Sequence, residues 1–268
     1  MKELCCDLHI VGGALTGLLT AYCASDLGFE IIVSERKKLN FNNKKITDDT
    51  RTTAIAEGSK AFLDSQGLWK LIKNFAEPIK NIKVVDNTAN SNLNFYNPIP
   101  KSNLGYIVKN SKLISILISE LRKKNNVNFE SDSNIQSIFN HNKKIISLSN
   151  NKKIKSKLII AADGKNSTVR KLLKTNLFKK NYNEKAIVVN FFHESPHKNT
   201  AYEFFYKTGP MAILPMQTEK RRNQSALIWS HESGIIDLIA RSGLHSQYVR
   251  EILNEKIYPH LGSVTKIN

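Results

Sequence analysis

The chain has 268 residues, of which 41% are hydrophobic and 24% charged, so it is long enough for one large domain or two interlocked ones. No apolar run reaches the ~18–20 residues that a membrane-spanning helix needs, which predicts a soluble protein. The formal net charge is +17, but the lysines are scattered along the whole chain, so we expect no specific nucleic-acid binding.

The cysteines and histidines do not form a metal-binding pattern. Cys5, Cys6 and Cys23 lack metal-ligand spacing, and the seven histidines are dispersed. We therefore expect no metal site and interpret the cysteines as buried free thiols. Charged residues such as Glu3 and Asp7 interrupt any resemblance to a secretory signal, so we expect a cytoplasmic protein.

The first elements predict a strand–helix–strand unit. Residues 7–12, "DLHIVG", are typical of a short buried strand, and 15–27 of a helix that Gly28 ends. Residues 29–36, "FEIIVSER", predict a second strand, which a right-handed crossover would place parallel to the first. A polar loop over 37–50 follows.

Helix and strand patterns continue through the middle of the chain. Residues 51–76 carry apolar positions at helical spacing, and 111–124 predict an amphipathic helix with Ser111 as its N-cap. Three short strand-like segments within 127–149 predict a β-meander. Residues 155–164, "KSKLIIAADG", predict a third core strand.

The last third of the chain alternates like antiparallel strands, with the hairpin signal "KTGP" between two of them and a helical segment over 235–256. The whole pattern predicts an α/β fold with a nucleotide-binding domain interlocked with a mainly antiparallel sheet domain. We place the nucleotide-binding domain at 1–80 and 105–175, and the second domain at 81–104 and 176–268.

The stretch "GGALTG" after the first strand is typical of the turn that binds a dinucleotide. Gly12 would form the tight turn, and Gly17 would let the helix pack close to the sheet, with the pyrophosphate on the helix N-terminus. Glu35 stands 18 residues after Gly17 (35 − 17), where an acidic side chain can accept both ribose hydroxyls of an adenosine. The alternative is a buried strand–helix–strand unit whose glycines only pack.

Residues 158–171, "LIIAADGKNSTVRK", end a hydrophobic strand in Asp163 and Gly164, with Ser167 and Arg170 following. An Asp-Gly pair alone is common turn chemistry. In this arrangement it resembles the Asp-Gly motif of the flavin-dependent aromatic hydroxylases, the para-hydroxybenzoate hydroxylase group. The resemblance implies that the motif lies along the pyrophosphate and ribityl part of FAD and is linked to NAD(P)H handling.

Further segments resemble one branch of that group, the ubiquinone-biosynthesis hydroxylases of the 2-polyprenyl-6-methoxyphenol hydroxylase type. "DDTRTTAIAEGSKAFLDSQGLW" is similar to the arginine segment of this branch, in which Arg51 would approach the flavin phosphate or ribityl side. "AYEFFYKTGPMAILPM" and "SALIWSH" are similar to its substrate sheet. The resemblance covers residues 7–265 and implies an α/β fold: a Rossmann-like FAD-binding domain, with a parallel sheet plus β-meander, and an interlocked substrate domain.

The function that the resemblance implies is an FAD-dependent monooxygenase that uses NAD(P)H and O2 to hydroxylate a polyprenyl phenol in ubiquinone biosynthesis. Partner proteins of that pathway and at most peripheral contact with the inner membrane follow from the same resemblance. The alternatives are a flavoprotein oxidoreductase acting on another aromatic, or a non-catalytic or fragmentary FAD-fold subunit of a biosynthetic complex. No catalytic acid or base can be named. The candidate cofactor-binding residues are Gly12, Gly13, Ala14, Gly17, Glu35, Arg36, Arg51, Asp163 and Gly164.

Two departures from the family pattern carry expectations of their own. The family usually has glycine where Ala14 stands, so we expect its Cβ and a resisted positive φ to weaken FAD binding. The sequence ends at "GSVTKIN", before the Gly-Asp segment of the family, so we expect a truncated chain or a site that another polypeptide completes. The interpretation requires the strand ends at Gly12 and Asp163 to converge on one diphosphate.

Overall fold

A computed structural model describes the following parts of the chain: residues 2–37, 49–89, 91–99, 102–142, 144–150, 152–243 and 247–267. Most of the predicted loop over 37–50 lies outside these residues.

The chain contains sixteen described strands and seven described α-helices, with a short 3-10 turn at Lys73–Phe75. In chain order they are β1 (Lys2–Val11), α1 (Leu15–Asp26), β2 (Ile31–Glu35), β3 (Thr52–Ala56), α2 (Glu57–Ser65), α3 (Trp69–Ile72), β4 (Glu77–Ile79), β5 (Asn81–Asp86), β6 (Ser91–Tyr96), β7 (Gly105–Lys109), α4 (Asn110–Leu121), β8 (Val127–Ser131), β9 (Ile135–His141), β10 (Lys144–Ser149), β11 (Lys152–Ala161), α5 (Thr168–Leu172), β12 (Glu184–His193), β13 (Thr200–Tyr206), β14 (Gly209–Glu219), β15 (Arg222–Glu232), α6 (Ser233–Ser242), α7 (Gln247–Leu261) and β16 (Val264–Ile267).

The chain divides into two compact units. The first unit comprises Met1–Asp48 and Leu113–Lys179, and the second comprises Asp49–Lys112 and Lys180–Asn268. The predicted domains put 49–80 and 105–112 with the nucleotide-binding part, whereas the structure groups both segments with the second unit. The reason is that β3 and β4 pair with β7, and both β4 and β7 contact β14 of the larger sheet. The functional division of the chain stays a prediction.

The first unit is built on a six-stranded sheet with the order β8-β2-β1-β11-β10-β9. The strands β2 and β11 pair with β1 on either side, both in parallel. The strand–helix–strand pattern predicts the pair of β1 and β2. The buried residues Ile10 and Val33 show why these segments form core strands. The predicted fold class, an α/β fold with a parallel sheet, is confirmed.

The predicted meander is wrong at its first strand. The strand β8 pairs in parallel with β2 at one edge of the sheet, while β9 and β10 extend the opposite edge in antiparallel order from β11. Helix α4 comes between β7 and β8, and a strand that follows a helix can join a sheet in parallel. The short loop between β8 and β9 therefore does not form a hairpin, and its residues lie above the ends of β1 and β2.

The predicted helical bounds also need correction. Within 51–76 the residues Thr52–Ala56 form a strand, because β-branched Thr52, Thr53 and Ile55 favour a pleated backbone that pairs with β7. Helix α4 begins at Asn110, so Ser111 lies inside the helix. The single helix predicted near the C-terminus is two helices, α6 and α7, and Gly243 with a φ of +79° ends the first.

The second unit contains a seven-stranded sheet, β16-β12-β15-β14-β13-β5-β6, and a three-stranded sheet, β3-β7-β4. One face of the larger sheet packs its apolar side chains, among them Phe191, Trp229 and Met211, against Leu253 and Ile257 of α7. The predicted "KTGP" hairpin joins β13 to β14. Most of this sheet is antiparallel, as predicted; β5 and β13 are a parallel pair.

The cysteines differ from the prediction of buried thiols. Cys5 is exposed, and Cys6 and Cys23 are partly buried; all three are free. Burial raises the pKa of the Cys6 thiol to about 12, so this thiol stays protonated at neutral pH. Among the described residues, no helix is both long and apolar enough to cross a membrane.

Candidate functional site

The turn between β1 and α1 requires glycine at two positions. Gly12 has a φ of +117°, and a Cβ there would lie 2.3 Å from the carbonyl oxygen of Ala162. A Cβ on Gly17 would lie 1.9 Å from the carbonyl oxygen of Gly12. The turn therefore packs against the residues that follow β11, and the helix packs against the turn, with no room for a side chain at either contact.

Helix α1 begins without a side-chain cap. Ala14 is its N-cap residue, no side chain accepts a hydrogen bond from the first turn, and that turn contains no acidic residue. The Leu18 amide donates to the Ala14 carbonyl oxygen. The backbone amides that precede Leu18 in the first turn of α1 have no partner within the helix. The positive end of the helix dipole favours an anion at this turn.

The backbone at Ala14 corrects one expectation. Its φ is −94° and its ψ is −172°, an extended conformation that any residue adopts. The positive φ of this turn belongs to Gly12 instead. Alanine at position 14 therefore causes no backbone strain, and only the space that its exposed Cβ occupies can oppose a ligand.

Glu35 ends β2 and is held by two backbone amides. Its Oε2 accepts a hydrogen bond from the Gly13 amide at 2.7 Å, and its Oε1 accepts one from the Lys37 amide at 3.0 Å. A carboxylate has about four lone-pair sites, so each oxygen can accept another donor. The carboxylate is thus fixed in position and still able to bind hydroxyl groups.

Asp163 lies beside the glycine turn, because β11 pairs in parallel with β1 as far as Val11 and Ala161. Its Oδ2 accepts hydrogen bonds from the amides of Thr168 at 2.6 Å and Val169 at 3.2 Å, which caps α5. Its Oδ1 is buried and has no hydrogen-bond partner in the described part of the chain. A buried carboxylate oxygen without a partner is costly, and a bound group could supply the missing hydrogen bond.

These elements enclose a cavity of about 210 Å³ in the first unit. It is smaller than the roughly 300–1,000 Å³ of typical small-molecule sites, so it accommodates one part of a dinucleotide. Six of the nine predicted cofactor-binding residues line it: Gly12, Ala14, Glu35, Arg36, Asp163 and Gly164.

The other three predicted residues do not line the cavity. Gly13 donates to Glu35, and Gly17 packs beneath the turn. Arg51 belongs to the second unit, where its exposed guanidinium group is paired with Asp49, with Nε 2.8 Å from Oδ1.

Part of the cavity wall was not predicted from the sequence. Ser34, Ser133 and Asn134 line it, and the last two come from the loop between β8 and β9. Neither has a motif around it, and only the position of β8 next to β2 brings this loop to the strand ends. Buried His9, which bonds to Ser34, was equally unremarkable in the sequence.

The residues present fit a dinucleotide. Two glycines leave space for close backbone approach, free helix amides are suited to a diphosphate, and Glu35 is suited to ribose hydroxyls. A model of the FAD binding domain family matches residues 5–235. The chain belongs to the FAD binding domain family.

Curated relatives of this FAD binding domain are named as enzymes of ubiquinone biosynthesis. The chain is 28% identical over 263 residues to ubiquinone hydroxylase UbiL of Rhodospirillum rubrum, covering 97% of this chain and 59% of the relative. It is 28% identical over 255 residues to the mitochondrial ubiquinone biosynthesis monooxygenase COQ6 of Homo sapiens, covering 84% and 50%. The chain thus spans between about half and three fifths of the length of these relatives.

Solved structures share the fold of this FAD binding domain. PqsL, a probable FAD-dependent monooxygenase from Pseudomonas aeruginosa, matches 98% of this chain and 72% of its own with a TM-score of 0.77 and 13% identity. The p-nitrophenol 4-monooxygenase PnpA of Pseudomonas putida matches 100% and 68% with a TM-score of 0.76 and 18% identity.

Proposed function

We propose that the cavity of the first unit binds the adenosine diphosphate part of FAD. The observation that carries this proposal is the convergence of the Gly12 turn and Asp163 on one cavity beside Glu35. In this arrangement the diphosphate lies at the first turn of α1, where the backbone amides are free, and Glu35 accepts hydrogen bonds from the ribose hydroxyls. The Gly13 amide holds the Glu35 carboxylate in place, and Arg36 lines the cavity next to Glu35. Gly164 leaves open space beside Asp163.

Arg51 is the member of the proposed cofactor set that belongs to the second unit. The family resemblance assigns it to the phosphate or ribityl side of FAD. Its side chain is 67% exposed and paired with Asp49, so a phosphate would compete with that carboxylate for the guanidinium group.

We further propose that the protein is an FAD-dependent monooxygenase that hydroxylates a polyprenyl phenol in ubiquinone biosynthesis. The names of its relatives, a ubiquinone hydroxylase and a ubiquinone biosynthesis monooxygenase, support this proposal. The chemistry that FAD supplies when bound is electron transfer from NAD(P)H and activation of O2. The chain's own residues bind and orient the dinucleotide; none of them is required as a metal ligand or nucleophile.

The larger sheet of the second unit offers a surface suited to such a phenol. On the face opposite to α7, cross-strand neighbours include Val188, Ile228 and Ala212, and Glu203 lies opposite Ala212. Val188 is 39% exposed, whereas Ala201 and Ala226 further along this face are buried with Ile79 of β4 and Ile107 of β7, so the face is open only at the Val188 end. Burial raises the pKa of the Glu203 carboxyl, and no described residue forms a hydrogen bond or ion pair with it. A phenol hydroxyl would supply that partner while its ring and chain cover the apolar residues.

A polyprenyl substrate also determines where the protein works. We propose a cytoplasmic protein that contacts the inner membrane peripherally and other proteins of the same pathway, because an isoprenoid chain partitions into lipid.

Titration of the full chain with FAD tests the proposal directly. Flavin fluorescence and thermal unfolding are followed together, with Glu35→Ala as the site variant. We expect this substitution to weaken the free energy of FAD binding by about 1–3 kcal/mol. A wild-type chain that neither binds FAD nor gains thermal stability from it contradicts the proposed cofactor site.

The activity is tested by oxidation of NADH or NADPH in the presence of a polyprenyl phenol. Oxidation that depends on the phenol and yields a hydroxylated product supports the monooxygenase. FAD binding without any NAD(P)H oxidation would instead favour a non-catalytic FAD-fold subunit, and peroxide release without product would indicate an uncoupled enzyme.

A further inference from the structure

A buried imidazole lies beneath the cofactor cavity, and the proposed function does not use it. His9 of β1 is fully buried among apolar strands. Its Nε2 is 2.8 Å from the Ser34 hydroxyl, and its Nδ1 is 2.7 Å from the Ser147 hydroxyl. Burying a polar ring costs free energy unless both nitrogens are hydrogen-bonded, and here both are. The imidazole thus joins β2 to β10, two strands that do not pair with each other.

Two further serines continue the arrangement toward the cavity. The hydroxyls of Ser133 and Ser149 are 2.6 Å apart and buried. The Ser133 amide donates to the Glu35 carbonyl oxygen at 2.9 Å, and Ser133 itself lines the cavity. The loop between β8 and β9 is therefore bonded to β10 on one side and to the end of β2 on the other.

The same strand end holds the glycine turn. The Ser34 carbonyl oxygen accepts a hydrogen bond from the Gly12 amide at 2.8 Å, and the neighbouring Glu35 carboxylate accepts one from Gly13 at 2.7 Å. Any shift of Ser34 consequently moves the acceptors of both glycine amides. His9 is the group that holds the Ser34 side chain from below.

No aliphatic side chain can replace this imidazole. A neutral histidine donates through one nitrogen and accepts through the other, so one serine hydroxyl donates to the ring while the other accepts from it. An aliphatic residue would leave both hydroxyls buried without this partner, and such groups relax toward other partners by moving the backbone.

We propose that His9 is a positioning residue for the FAD site: by holding Ser34 against Ser147, it fixes the end of β2 and thereby the Gly12–Gly13 turn and Glu35. This inference rests on the proposed cofactor site. Its distinctive consequence is that loss of the His9 bonds weakens FAD binding and loosens the two glycine amides beyond what the loss of overall stability produces.

The test compares His9→Leu, which removes both bonds, with His9→Gln, which keeps an amide donor and acceptor. Leu121→Ala is the matched control, since Leu121 is fully buried in α4 and forms no part of the arrangement. For each full-length variant, FAD affinity is measured by flavin fluorescence at neutral pH, and the exchange rates of the Gly12 and Gly13 amides are measured without cofactor.

We expect His9→Leu to lower FAD affinity about 10- to 100-fold, because FAD binding must then re-order the turn that His9 no longer holds, and His9→Gln to recover part of the loss. We expect both glycine amides to exchange at least about tenfold faster in His9→Leu than in Leu121→Ala, when the two variants are compared at equal loss of unfolding free energy. If His9→Leu does not fold, Ser147→Ala replaces it, with a smaller change in the same direction.

Unchanged FAD affinity and amide exchange in the His9 variants would overturn the proposal, as would equal losses in Leu121→Ala. If the wild-type protein does not bind FAD, the proposed function fails, while the amide exchange still decides whether His9 positions the turn.

Discussion

The carbonyl oxygen of Gly12 occupies the place where a side chain of Gly17 would begin, with only 1.9 Å between that oxygen and an ideal Cβ on Gly17. The helix of the dinucleotide turn and the turn itself are therefore in direct backbone contact. This contact sets the direction in which the free amides of α1 point, and the proposed site depends on it.

Gly17→Ala tests this contact. We expect the substitution to push α1 away from the turn, to lower the free energy of unfolding by about 2–4 kcal/mol and to abolish detectable FAD binding. Gly58→Ala in α2 is the control, because nothing lies within 4 Å of its added Cβ and alanine favours a helix. Urea unfolding and FAD titration measure both effects; wild-type affinity in Gly17→Ala would refute the close packing.

Ala14 should act through volume alone. Since its φ is negative, Ala14→Gly relieves no strain. The more flexible unfolded chain costs about 0.5 kcal/mol, which the preference for glycine over alanine at an N-cap offsets, so we expect little change in the free energy of unfolding. Removal of the Cβ from the cavity wall nevertheless gives the diphosphate more room, so we expect tighter FAD binding in Ala14→Gly and weaker binding in Ala14→Val. Calorimetric titration of the three proteins should give this order, and weaker binding by the glycine variant would contradict it.

Asp163 has two roles that substitutions can separate. Asp163→Ala removes the acceptor for the Thr168 and Val169 amides, so we expect a loss of about 1–2 kcal/mol in stability and about 1–3 kcal/mol in FAD affinity. Asp163→Asn keeps an acceptor oxygen and should retain most of the stability.

The control for Asp163 is Asp86→Ala. Asp86 accepts a hydrogen bond from the Thr88 amide at 2.8 Å in an exposed turn of the second unit. We expect this variant to bind FAD like the wild type. Equal losses of affinity at the two aspartates would show that Asp163 acts only through general stability.

The buried His9 makes the free energy of unfolding depend on pH. Burial lowers the pKa of His9 from 6.5 to about 4 in the folded protein, so below pH 6.5 the unfolded chain binds a proton that the folded chain does not. Stability therefore falls as the pH falls from about 6.5 to about 4, by about 3 kcal/mol from this group. Urea unfolding at several pH values between 4 and 8 gives the unfolding free energy as a function of pH. This free energy should depend less steeply on pH in His9→Gln than in the wild type, and an identical dependence would contradict the prediction.

Parts of the site were readable from the sequence because they depend on neighbouring residues in the chain. The glycine turn, helix and second strand occur where predicted, and Glu35 ends β2, while the first strand is longer than predicted and begins at Lys2. Local spacing is sufficient for such a unit, because one right-handed crossover fixes which ends of the two strands meet. The segment Thr52–Ala56 was misassigned because the helical spacing of the residues after it was extended over it, whereas its β-branched residues and its pairing with β7 make it a strand.

By itself, the sequence determined the α/β class, the glycine turn and the acidic end of β2, since periodicity and turn chemistry are local. The tertiary structure alone decided that β11 lies beside β1, that β8 crosses to the far edge of the sheet, and that His9 reaches Ser34 and Ser147. These contacts join residues as many as 150 positions apart along the chain, as in the pair Lys2 and Lys152 (152 − 2). They arise from the order in which strands pack to bury their apolar faces, and no local pattern encodes that order.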